Sequence, residues 1–133
     1  MDQVDNLPPG PSWWETTWEP LLSSQEKKSL GNTNEDVDLS PVPAGEFWEL
    51  EHVSAENLTS DFTVLRLGVA RGVGFVPLEE DVSVAANELV WNDHPIYLRE
   101  LETLRVRFTG TTSGDRLQVN INGLRHKGRA THG

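Results

Sequence analysis

Cysteine is absent from the 133 residues, which excludes disulfides, thiolate metal sites and cysteine nucleophiles together. No apolar run approaches the roughly 20 residues that a bilayer-spanning helix needs, so no membrane partner is expected. The first ten residues, MDQVDNLPPG, are acidic and lack the basic and apolar regions of a secretory leader. That predicts synthesis and use without Sec-type export. Helical periodicity is missing too, and its best candidate, Gln25–Leu30, is too short to stand alone. At this length the chain fits one domain with a core that folds without staples.

Basic charge is scarce and unevenly placed. Residues 1–60 carry 12 acidic side chains against Lys27 and Lys28, a net of −10, whereas residues 61–133 carry 9 of each sign. Phosphate-backbone binding needs clustered Lys and Arg, so no nucleic-acid partner is expected. Arg125, His126, Lys127 and Arg129 fall in residues 125–133, read as a short basic tail. Catalytic patterns are equally thin. Asp93 and His94 are adjacent in a turn and cannot hold triad geometry. Glu79–Glu80–Asp81 lacks the spaced oxygens of a calcium loop, and no helix follows Gly72–Val73–Gly74 as a phosphate loop requires. Asn57–Leu58–Thr59 is a formal glycosylation triplet, discounted without a leader. No catalytic, metal or cofactor-binding residue is assigned, and no enzyme activity is expected.

What is present is alternation. Leu104, Val106 and Phe108 alternate with Thr103, Arg105, Arg107 and Thr109, and Leu117, Val119 and Ile121 alternate with Arg116, Gln118, Asn120 and Asn122. Successive strand side chains point to opposite faces, so each run has one apolar and one wet face. Gly110–Asp115 between them is turn chemistry, and the pair is predicted to form a β-hairpin on the core. Further strands are predicted at Glu46–Ser54, with Trp48, Leu50 and His52 on one face, and at Phe62–Arg71. Shorter ones follow at Phe75–Leu78, Val82–Ala86, Glu88–Trp91 and Ile96–Arg99. Seven or eight short strands at about ten-residue spacing predict an all-β fold, an antiparallel β-sandwich or jelly roll, over residues 43–124.

Residues 1–42 are predicted to be an extended, irregular arm, because their proline-rich, polar composition cannot offset chain entropy by burial. Yet Trp13, Trp14 and Trp18 each carry about 150–250 Å² of largely apolar surface. With Leu21 and Leu22 they are the candidate partner-binding residues. Either they strap over their own sheet or they anchor a partner, since Trp is enriched in interface hot spots.

The order Pro43–Ala44–Gly45–Glu46–Phe47–Trp48, Leu65–Arg66–Leu67–Gly68–Val69, Pro95–Ile96–Tyr97–Leu98–Arg99–Glu100, Leu104–Phe108 and Gly114–Asp115–Arg116–Leu117 resembles small β-sandwich structural proteins of tailed bacteriophages. Glu100–Leu101–Glu102 departs from that pattern, which has a Gly-Asp turn there. The resemblance covers about residues 43–124 and implies a virion subunit, most often a capsid decoration (cement) protein on the head surface. Its implied partners are the major capsid protein and its own copies, as a trimer with edges near Phe75–Leu78 or Val82–Ala86 covered. The alternative is a carbohydrate-binding or fibre-associated module, stacking Trp91, Tyr97 and the arm tryptophans on sugar rings.

Overall fold

The computed structural model describes residues 16–128, with side chains from Trp18 onward. Nine strands form there: β1 (Thr16–Lys28), β2 (Asn34–Asp38), β3 (Glu46–Asn57), β4 (Phe62–Arg71), β5 (Gly74–Val84), β6 (Val90–Trp91), β7 (Ile96–Leu98), β8 (Thr103–Thr109) and β9 (Arg116–Gly128). They make two antiparallel sheets. The first runs β1-β9-β3, with β6 and β7 sharing the free edge of β3, and the second runs β2-β8-β4-β5. The inner faces of both supply one core, in which Leu50, Leu98, Leu104, Val106, Phe108 and Leu117 are fully enclosed. The fold is therefore the all-β, antiparallel sandwich expected. Among the described residues no helix is long and apolar enough to cross a membrane.

The alternation of β8 and β9 is as read, with Leu104, Val106, Phe108, Leu117, Val119 and Ile121 all buried. Their pairing is not. β8 pairs with β2 and β4, β9 pairs with β1 and β3, and the two strands lie in different sheets. Residues 110–115 thus carry the chain across the sandwich instead of turning it into a hairpin. The Asp115 carboxylate, 2% exposed, anchors that crossing. It accepts from Asn57 Nδ2 (2.9 Å), Ser60 Oγ (2.7 Å) and the Thr112 N–H (2.9 Å). Period-two alternation cannot separate the two arrangements, because a strand beside its neighbour and a strand facing it across the core both turn the apolar side inward.

The expected boundary at residue 43 does not divide the described chain. β1 pairs with β9 over its whole length and β2 pairs with β8, so residues 16–42 add an edge strand to each sheet. Gln25–Lys28 is strand, not helix. Arg125, His126 and Lys127 likewise belong to β9 rather than to a tail. The charge asymmetry explains part of this: the acidic segment finds its cations inside the same molecule. Arg107 holds Asp36 in a two-bond fork (2.8 and 3.1 Å) and Arg105 holds Asp38 likewise (2.8 and 3.0 Å). Both guanidinium groups also cover the Phe75 ring, at 4.8 and 5.6 Å. Glu26 pairs with Arg116, and Glu19 with Arg125 and Lys127.

Phe75–Leu78 and Val82–Ala86 are not two strands around an acidic loop. β5 runs through Glu79–Asp81 as one edge strand, hydrogen-bonded to β4 with a bulge at Leu67/Gly68. Pro20 and Pro77 stand on the edge strands β1 and β5, where a missing N–H breaks no ladder.

Candidate docking face

One irregularity decides what the outer face of the first sheet displays. The register of β3 against β9 shifts between Leu50 and His52, leaving Glu51 as a bulge. A bulge adds one residue to one strand, so the inward and outward sides exchange beyond it. Trp48 and Leu50 therefore face the core, and His52 faces out, opposite to the single face predicted for all three. Phe47 and Glu49, before the bulge, face out by ordinary alternation with Trp48 and Leu50. Two devices hold the bulge. Gly123 admits the Glu49 backbone where any Cβ would collide with it. The Asn92 side chain then bonds the freed groups, accepting from the Val53 N–H (2.8 Å) and donating to the Glu51 carbonyl (3.1 Å).

Beyond the bulge, cross-strand register aligns Trp18, His126 and Phe47 on β1, β9 and β3, with Tyr97 of β7 beside them. The four rings form a continuous row. Trp18 meets His126 edge-on at 3.5 Å, His126 meets Phe47 at 5.7 Å, and Phe47 stacks on Tyr97 at 6.0 Å between centroids. His126 Nε2 lies 3.5 Å from Glu49 Oε1. Trp18 and Tyr97 remain more than half exposed.

On the other side of the bulge lies a groove of about 430 Å³, lined by Leu22, His52, Ser54, Trp91, Asn120, Ile121 and Asn122. Trp91 is 53% exposed and stands edge-on to His52, with centroids 6.1 Å apart. Asn120 and Asn122 project from alternate positions of β9 onto this face, and Gln118 Nε2 donates to Asn120 Oδ1 (3.2 Å).

The expected partner-binding residues separate on this surface. Trp13 and Trp14 lie outside the described residues. Trp18 joins the ring row and Leu22 lines the groove, whereas Leu21 points inward at 7% exposure and belongs to the core. Trp91 and Tyr97 are exposed on the same sheet face but in different places, one in the groove and one in the row. Phe47, His52, Asn120, Asn122 and His126 were not singled out as contacts from sequence. The only signal for them was the outward half of each alternation, and for His52 the bulge reversed even that.

The buried carboxylates are structural. Burial alone would raise the Asp115 carboxyl, but the hydrogen bonds from Asn57, Thr112 and Ser60 outweigh it and hold it below the usual carboxylate range. Burial opposes ionisation of Glu35 also, and is outweighed by the Asn32 N–H, by Lys27 and by the Leu30 N–H. Asn57 of the glycosylation triplet is fully buried, with its amide spent on Asp115 and on the backbone of Thr59 and Ser60. Among the described residues no three metal-ligating side chains converge. Comparison of the chain with protein-family models, curated proteins and solved structures gives no match.

Proposed function

We propose that the chain is a non-enzymatic structural subunit of a bacteriophage virion, a decoration protein that binds the assembled head. The observation that carries this reading is the ring row Trp18–His126–Phe47–Tyr97. Exposed, mutually packed aromatics at one end of a sheet are the composition of an interface core, where desolvated Trp and Tyr concentrate binding energy. Trp13 and Trp14 precede Trp18 by five and four residues in the sequence. The major capsid protein is the partner this surface would seat against. The edge strand β5, with Val76, Leu78 and Val82 exposed, is where a sister copy would pair to close a trimer.

Among the described residues, the acids Glu19, Glu26, Glu35, Asp36 and Asp38 are already paired with cations within the sandwich, so attachment is assigned to the rings. Deleting residues 1–41 would remove two sheet strands, so the test uses the full chain carrying Trp13→Ala, Trp14→Ala and Trp18→Ala together. Each desolvated Trp at an interface centre is worth about 2 kcal/mol or more. The triple variant should stay folded and lose occupancy on undecorated shells at concentrations that saturate the wild type. Full occupancy by the triple variant would refute attachment through this end.

A further inference from the structure

We infer that the groove between Trp91 and Leu22 is a binding site for a neutral, hydroxyl-rich ring, the pyranose unit of an uncharged glycan. The inference goes beyond head attachment, which uses the opposite end of the same sheet. Its ground is the chemistry of the lining. Charged residues make up 24% of the chain, yet no Asp, Glu, Lys or Arg lines this groove. A site without charge gives no favourable field to phosphate, carboxylate or ammonium groups. What it offers instead are groups that both donate and accept, the amides of Asn120 and Asn122 and the Ser54 hydroxyl.

Geometry makes those groups usable together. Asn120 and Asn122 are two residues apart on one strand face, a spacing of about 6.6–6.8 Å, which suits hydroxyls on opposite sides of one sugar ring. The bond from Gln118 occupies Asn120 Oδ1 and leaves the Asn120 amide N–H groups to donate. A pyranose also has an apolar C–H face, and the half-exposed Trp91 indole supplies the flat, electron-rich surface that such a face covers. Leu22, 81% exposed on the far wall, closes the groove with a second apolar contact. The volume of about 430 Å³ falls within the ordinary range of small-molecule clefts. The bulge at Glu51 and the Asn92 side chain fix His52 and Trp91 to the sheet, so the walls are set before any ligand arrives.

The test is affinity electrophoresis of the full-length protein in native gels containing dextran, laminarin, galactomannan or xyloglucan, with heparin and polyvinylpyrrolidone as anionic and sugar-free controls. At least one neutral polysaccharide should retard the wild type, and neither control should. Trp91→Ala and Asn122→Ala, whose side chains lie on the surface, should each weaken retardation at least tenfold with the thermal midpoint unchanged. Trp18→Ala, at the attachment end, should leave it intact. No retardation by any of the four glycans, equal retardation of Trp91→Ala, or retardation by either control overturns the inference. Because shells are not used, failure here is distinct from failure of head attachment.

Discussion

Gly123 on β9 lies against the backbone carbonyl of Glu49 on β3 so closely that no side chain fits between the strands. The contact sits at the bulge that turns His52 outward. Gly123→Ala should therefore cost about 1–3 kcal/mol, the range for forcing an extra methyl into packed structure. Urea midpoints of the variant and wild type check this, and an unchanged midpoint would mean that the strands can separate freely there.

Asn92 stabilises the same bulge from the other edge. Asn92→Ala leaves the Val53 N–H and the Glu51 carbonyl without their partner, and an orphaned polar group costs about 1–3 kcal/mol. The loss should be local as well as global. Hydrogen exchange at the Val53 amide should accelerate more than exchange at Val106 in the opposite sheet.

Asp115 predicts an acid limb to the stability curve. Its folded carboxyl is held below its unfolded value of about 4 by three hydrogen bonds. A group depressed in this way contributes its stability above the unfolded value and loses it as pH falls through the folded one. Denaturant midpoints should thus be flat from pH 7 to 5 and drop below about pH 4. Asp115→Asn should lower the plateau by about 1–3 kcal/mol, since the bonds to charge are lost, and should shrink the drop. A drop of equal size in the variant would assign the acid limb elsewhere, with Glu35 the next candidate.

Leu101 holds φ at 71°, a left-handed backbone that costs a side-chain-bearing residue roughly 1–2 kcal/mol. It is also 56% exposed, so little packing is lost on removing its side chain. Leu101→Gly should raise stability by about 0.5–1 kcal/mol, the relieved strain less the added chain entropy of glycine. A lowered melting midpoint would show that the exposed leucine is making contacts in solution.

Phe108 is fully buried and tilted against Phe62 at 5.2 Å between centroids. Phe108→Ala should cost about 3–5 kcal/mol, whereas Val73→Ala, at the exposed tip between β4 and β5, should be neutral within about 0.5 kcal/mol. Equal midpoints for the two variants would contradict the inward register of β8.

Strand identity and facing were legible in β4, β8 and β9, and not in β1, β2 or β5. Phe62–Arg71 was read with its true limits, and the six apolar positions of β8 and β9 point inward as their alternation requires. Alternation records only which side of a strand is apolar, and burial rewards that side whichever partner lies beyond it. The sequence by itself therefore determined an all-β, antiparallel sandwich with these core residues. Which strands pair was decided by tertiary structure alone. The Asp115 crossing separates β8 from β9 into different sheets, and backbone hydrogen bonds to β8 and β9 draw the polar segment 16–42 into the sandwich. The docking face was decided in the same way. A single bulge at Glu51, held by Gly123 and Asn92 from distant parts of the chain, reverses the alternation of β3 and gathers aromatic and amide side chains that no sequence spacing connects.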